Sequence, residues 1–177
     1  MIHFVIGGAR SGKSAYAQQI VEQLSKGKTS PVIYIATAES TDEEMDKRIA
    51  HHKNNRPEGW CVKEVPLDLV SQLASCSDSQ VILVDCLTLW LNNQLHYYPE
   101  QNFDVLFEQL CNALNNCKGD VVLVANEVGL GVIPMGNISR RFVDLAGWLN
   151  QAVAQVSTRV TFMAAGLPLT MKPQETA

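Results

Sequence analysis

An α/β fold with a mostly parallel sheet and helices on both faces is what this sequence predicts, and three observations predict it. The first is the run Gly7-Gly8-Ala9-Arg10-Ser11-Gly12-Lys13-Ser14, which fits G-x-x-x-x-G-K-[ST]. It follows the apolar run Ile2–Ile6 and precedes the helical pattern Ala15–Leu24. Strand, glycine loop and helix are the context such a phosphate loop requires. The second is that Gln80–Asp85 and Asp120–Ala125 are apolar residue after residue, as strands buried on both faces are. The third is the alternation of strand-like and helix-like segments along the chain. Together they define a P-loop NTPase-like, RecA-like arrangement over residues 1–177, expected to form one domain.

Each element has its own justification. Ile2–Ile6 is short and rich in β-branched residues. Pro31–Ala36 reads as a second strand. Thr41–His52 reads as a helix whose first turn carries Asp42, Glu43 and Glu44, where acids favour the dipole. Pro57 ends that stretch by disfavouring helix at Arg56. A short strand over Val62–Val65 and a short helix over Leu67–Ala74 come next, then the buried strand Gln80–Asp85. Phe103–Asn115 is an amphipathic helix, Asp120–Ala125 a strand, Ser139–Ser157 a long helix and Arg159–Ala164 the last strand. In such sheets ligands lie beyond the carboxyl ends of the strands. Those ends carry Gly7, Thr37, Asp85 and Asn126-Glu127.

Composition narrows the function classes. At 46% hydrophobic and 18% charged residues, the 177-residue chain reads as globular. A net charge of −4 argues against a nucleic-acid surface, which needs clustered Lys and Arg. No apolar run has the length of a membrane span, and the first strand leads straight into the loop with no signal peptide in between. The five cysteines, at 61, 76, 86, 111 and 117, form no CxxC pair and read as reduced cytoplasmic thiols, with Cys86 a small core residue.

The chemistry centres on the loop. Its amides and the following helix N-terminus face an anion with partial positive charge. Lys13 reaches the β- and γ-phosphates, and the Ser14 hydroxyl holds Mg²⁺. Asp85 closes an apolar strand. It holds Mg²⁺ with Ser14, takes a proton from a substrate hydroxyl, or merely caps the turn. The segment Asn126–Pro134, with two glycines and a proline, is either a substrate loop or a structural one. His51 and His52 are adjacent and point about 100° apart on a helix, so one substrate does not engage both equally. Read from the residues, they are helix-end histidines that suit the dipole, or one of them is a nucleophile forming a phosphoramidate.

Longer segments carry a resemblance. These are the opening I-x-G-G-A-R-S-G-K-S, Tyr34-Ile35-Ala36-Thr37, and Arg48–Trp60 with the pattern R-I-x-x-H-[KR]-x-x-R-P-x-x-W. Asp85-Cys86-Leu87-Thr88-Leu89-Trp90-Leu91-Asn92-Asn93 and Asn126-Glu127-Val128-Gly129 complete the set. To about Pro168 the chain resembles the bifunctional adenosylcobinamide kinase / adenosylcobinamide-phosphate guanylyltransferase family of cobalamin biosynthesis. The resemblance implies phosphorylation of adenosylcobinamide by ATP or GTP. It then implies transfer of GMP from GTP to the product, adenosylcobinamide phosphate, through a GMP-histidine. The motif position before the basic residue falls on His52, which the resemblance makes the nucleophile with His51 its neighbour. Lys53, Asn54, Asn55 and Arg56 then lie at the nucleotide, with the cations Lys53 and Arg56 placed to neutralise phosphoryl charge. Ala36, Thr37 and Ala38 line the pocket. Glu64 is either a guanine-reading carboxylate, accepting from two N–H groups, or a solvated strand residue. A homotrimer with sites formed between subunits is also implied. Two readings of other kinds compete: a single-activity small-molecule kinase with structural histidines, and a RecA-type nucleotide switch driven by a macromolecular partner.

Overall fold

The computed structural model describes residues 1–39 and 59–172. The predicted helix Thr41–His52 and the residues His51 to Arg56 lie outside them. Seven strands form one sheet: β1 (Ile2–Gly7), β2 (Ile33–Ala36), β3 (Cys61–Glu64), β4 (Val81–Asp85), β5 (Asp120–Asn126), β6 (Arg159–Ala164) and β7 (Leu167–Lys172). Their order is β3-β2-β4-β5-β1-β6-β7, and every pairing is parallel except the terminal β6–β7 hairpin. The helices described are α1 (Lys13–Ser25), α2 (Leu69–Ala74), α3 (Leu87–Tyr97), α4 (Phe103–Asn116) and α5 (Asn137–Val156).

The two faces have different cores. Alternation along β1 sends Val5 to the α1 side, with Ala17, Val21, Tyr34, Leu83, Val122 and Val124. Ile2, Phe4 and Ile6 go to the other side, where α2, α3, α4 and α5 contribute Leu69, Trp90, Leu110 and Leu149. Helices therefore cover both faces, and the uniformly apolar strands are explained. Sequence signals act locally at element ends. Asn102 caps α4 by accepting from the amides of Asp104 and Val105 at 3.0 and 3.2 Å. The β6–β7 hairpin turns on Ala165 and Gly166, both with positive φ (52° and 79°), as a tight hairpin requires.

Two elements depart from expectation. Helix α3 was not anticipated, because its faces are buried nearly all round and no amphipathic stripe survives: Leu87, Thr88, Trp90, Leu91, Asn93, Gln94 and Leu95 are all buried. Strand β6 is not the last, since β7 follows it. Pro168 sits in β7, which is tolerable only because β7 is an edge strand. Its alternate residues Leu167, Leu169 and Met171 stay exposed.

One buried histidine gives the fold a pH dependence. His3 lies in β1 with its Nε2 2.9 Å from the Thr161 hydroxyl, while its Nδ1 is buried without a partner. Burial, aided by the positive charge of Arg159, lowers its pKa from 6.5 to about 4. Between these values the unfolded chain binds a proton that the folded chain does not. Stability is therefore complete above pH 6.5 and falls as pH drops toward 4. At about 1.4 kcal/mol per pH unit the loss approaches about 3 kcal/mol. Urea unfolding at pH 7 and pH 4.5 should show a smaller acid loss in His3→Gln than in the parent; equal losses would remove His3 as the cause.

Candidate phosphate-binding site at the strand ends

The loop between β1 and α1 is held in shape by its glycines and its neighbours. A Cβ on Gly7 would sit 2.4 Å from the Met163 carbonyl oxygen and 2.8 Å from Ser11 Oγ, so β1 runs against β6 with no room for a side chain. Gly12 has φ 92° and precedes α1, and Arg10 also has positive φ at 55°. The Ser11 carbonyl accepts from the Gly166 amide at 3.0 Å, tying the loop to the β6–β7 turn. Gly7→Ala is expected to destabilise the fold by roughly 1–3 kcal/mol and to weaken nucleotide binding with it. Denaturant unfolding together with a fluorescent-nucleotide titration checks both effects.

Lys13 opens α1 and is buried, with Nζ donating to the Gly8 carbonyl at 3.0 Å. Burial draws its pKa below the ordinary lysine value, and the Asp85 carboxylate is near enough to oppose the shift. Ser11 Oγ is buried with no hydrogen-bond partner among the described residues. Among the described residues, a buried ammonium bonded to one carbonyl, a hydroxyl without a partner and a helix N-terminus converge on one loop. An anion satisfies all three. Ala9 and Arg10 are exposed at the loop tip, Gly8 is half-buried, and Ser14 lies half-buried in the first turn of α1.

Asp85 ends β4, which is separated from β1 by β5. It is half-buried, and one of its oxygens accepts from the Tyr34 hydroxyl at 2.8 Å. Tyr34 reads in the sequence as one more strand residue; only the pairing of β2 with β4 brings it to Asp85. With the hydroxyl of Ser14, the Asp85 carboxylate supplies hard oxygen donors. Mg²⁺ commonly takes one or two protein oxygens and completes its shell with phosphates and water, so the pair fits it. Cys86, next in the chain, is buried, and its thiol is pushed up to about 12, first by burial and then by Asp85. It is the small core residue expected.

The segment after Asp85 serves largely to stitch loops together. Thr37 Oγ1 accepts from the Cys86 amide at 2.8 Å and donates to the Cys86 carbonyl at 2.7 Å. That hydroxyl is spent on backbone, so Thr37 shapes the pocket wall. Asn93 Nδ2 donates to the Thr37 and Pro66 carbonyls, Trp90 Nε1 to Leu67, and Thr88 Oγ1 accepts from the Asn126 amide at 2.7 Å. Helix α3 thus fixes the ends of β2, β3 and β5 relative to Asp85. Its polar residues inside an apolar helix were the available signal, since buried amides and hydroxyls must find partners.

The remaining positions divide by location. Ala36 is buried and Ala38 half-buried at the end of β2; Glu64 is exposed on edge strand β3, in register with Ala36. The Glu127 amide donates to the Gly7 carbonyl at 3.0 Å, which docks the β5 loop beside the phosphate loop. The Glu127 carboxylate accepts from the Gly129 amide at 2.6 Å and so shapes its own turn. Among the described residues no cluster of three or more His, Cys, Asp or Glu could hold a metal.

Fold and loop together define a P-loop nucleotide-binding α/β protein. Solved structures share the fold. The flagellar accessory protein FlaH of Methanocaldococcus jannaschii is similar with a TM-score of 0.55 at 15% identity, covering 98% of this chain and 78% of that one. A KaiC-like protein of Pyrococcus horikoshii gives 0.54 at 10% identity, covering 99% and 80%. Residues 3–171 match the family described as cobinamide kinase / cobinamide phosphate guanyltransferase. The chain is 47% identical to the bifunctional adenosylcobalamin biosynthesis protein CobP of Pseudomonas aeruginosa over 97% of this chain and 98% of that protein. It is 35% identical to the bifunctional adenosylcobalamin biosynthesis protein CobU of Escherichia coli, over 97% of this chain and 100% of that protein. The chain belongs to the cobinamide kinase / cobinamide phosphate guanyltransferase family, whose members are bifunctional enzymes.

Proposed function

We propose that this protein phosphorylates the aminopropanol hydroxyl of adenosylcobinamide and then transfers GMP from GTP to adenosylcobinamide phosphate. The observation that carries the reading is the formed phosphate loop, with Lys13 buried at α1, inside a chain matched to the family over residues 3–171. In the first step the substrate hydroxyl oxygen attacks the γ-phosphorus of ATP or GTP. The bond from that phosphorus to the β–γ bridging oxygen breaks, the nucleoside diphosphate leaves, and the hydroxyl proton passes to Asp85 or to water. Lys13 and the loop amides hold the tail, and Ser14 with Asp85 would hold Mg²⁺, which when bound neutralises charge on the β- and γ-oxygens.

In the second step an imidazole nitrogen of His52 attacks the α-phosphorus of GTP and pyrophosphate leaves, giving a GMP-histidine. A phosphate oxygen of the corrinoid then attacks that phosphorus, the P–N bond breaks, and adenosylcobinamide-GDP is released with His52 restored. His51, Lys53, Asn54, Asn55 and Arg56 accompany His52 in the sequence, and Glu64 at the edge beside Ala36 reads guanine. The enzyme acts in the cytoplasm, a reading supported by cysteines that are all free. It works as a homotrimer; the exposed apolar row Leu167, Leu169 and Met171 on edge strand β7 supports association of copies. The test is incubation with α-phosphate-labelled GTP followed by denaturing electrophoresis. Label retained on the chain, lost in acid and stable in base is expected; an unlabelled chain that still makes adenosylcobinamide-GDP would exclude the histidine intermediate.

A further inference from the structure

Besides the β7 row, the described surface carries a second apolar feature that the nucleotide chemistry leaves unused. Between β5 and α5, Leu130, Val132, Ile133 and Met135 are 80%, 98%, 71% and 94% exposed. Four large apolar side chains held this far into solvent on one loop mark a binding surface. The loop is not remote from the reaction. Its first residue, Glu127, is hydrogen-bonded through its amide to Gly7, at the start of the phosphate loop. Leu130 is three residues further on, so its Cα lies within roughly 10 Å of Glu127. At its far end the loop meets α5, where Arg140 donates to the Met135 carbonyl at 2.5 Å. Arg140 also lines a cleft of about 520 Å³ with Gln101, Asn102, Asn137 and the half-exposed Trp148. The apolar loop and this polar cleft, which Asp104, Arg141 and Asp144 also line, thus meet at Arg140.

Substrate geometry selects the occupant. In cobinamide the reacting hydroxyl ends a short arm of about seven bonds, so the macrocycle lies within roughly 9 Å of the phosphorus it attacks. The macrocycle presents a broad methylated face and a periphery of carboxamides. We propose that the loop 128–136 receives the apolar face of the corrin ring, with the cleft at Trp148 taking its peripheral amides, so that the arm reaches back to the phosphate loop. An apolar face meets apolar side chains, and amides meet Gln101, Asn102 and Asn137. This assignment rests on the kinase reading above.

The experiment measures retention of coloured cobinamide by ultrafiltration, without nucleotide, alongside kinase kinetics and mass by light scattering. The variants are Leu130→Ser with Ile133→Ser, and separately Trp148→Ala; all three side chains are exposed, so little packing is lost. The expected result is at least a tenfold weaker Kd and higher KM for cobinamide in the double variant. The GTP Kd should stay within twofold and the mass unchanged. Trp148→Ala should weaken cobinamide binding severalfold. Unchanged cobinamide Kd in both variants overturns the assignment while leaving the kinase reading intact. A lowered particle mass in the loop variant gives the loop to a second copy of the chain and likewise overturns it. Parent protein that retains cobinamide but never phosphorylates it removes the kinase reading and leaves the binding surface standing.

Discussion

Lys13→Ala should lower both the kinase and the guanylyl-transfer rates by roughly 100-fold or more, the scale expected when one preorganised charge is removed from a phosphoryl transition state. On the proposed mechanism both steps place a triphosphate tail on the same loop, where Lys13 is buried. In the structure its ammonium spends one hydrogen bond on the Gly8 carbonyl, a contact that a phosphate oxygen replaces with a charge-assisted one. Burial lowers its pKa, so the ammonium is held at a cost that a bound anion offsets. Arg at this position would keep the charge yet require more room than the buried site gives, so Lys13→Arg should fall closer to alanine than to the parent. Both activities measured on variants with unchanged unfolding midpoints decide the matter. A folded Lys13→Ala protein that keeps one activity near the parent level would mean that the two reactions do not share this loop.

Much of the architecture was legible because the governing signals were local. The glycine loop with its two flanks specified β1, the turn and α1, and the apolar runs ending in Asp85 and Asn126 specified β4 and β5. The rule that ligands lie at the carboxyl ends of strands puts Gly7, Asp85 and Glu127 at one edge of the sheet, and the registers of β1 and of β4 with β5 bring them there. What was not legible depends on contacts between distant segments. Tyr34 becomes a partner of Asp85 only through strand pairing. Helix α3 hides its period because neighbours bury it nearly all round, so Asn93 and Thr88 stand in a motif whose task of joining loops does not show in the sequence. Strand β7 was missed because Pro168 argues against a strand unless the strand is known to lie at an edge. Thr37 shows the converse limit. Its place at a strand end was read correctly, while the side chain turned out to serve the Cys86 backbone. His51 to Arg56 lie outside the described residues, and their roles stand on the motif.

On the proposed mechanism the two reactions separate at His52. His52→Ala is expected to abolish the covalent GMP adduct and reduce guanylyl transfer to background, while the kinase step keeps most of its rate. The reason is the difference in nucleophile. In the kinase step the substrate hydroxyl attacks the γ-phosphorus in line, and positioning plus charge neutralisation by Lys13 and the loop suffice. In the transfer step of the proposed mechanism the His52 imidazole nitrogen first takes the nucleotide, and an alanine side chain has no atom to form that bond. His51→Ala should keep the adduct, because on the helix that the sequence predicts over Thr41–His52 adjacent side chains would point about 100° apart, and the motif assigns the nucleophile to His52. The expected Lys13→Ala and His52→Ala phenotypes are therefore unequal in kind: on this mechanism the first variant lacks a shared phosphate clamp, the second a bond that only one reaction makes. Mass spectrometry of GTP-treated chain, digested without acid, locates the modified residue, and thin-layer separation of labelled corrinoids reads the two products independently. GMP found on His51, or transfer at the parent rate in His52→Ala, would move the nucleophile elsewhere. Loss of the kinase step as well, in a folded His52→Ala protein, would show that the segment around it serves both reactions.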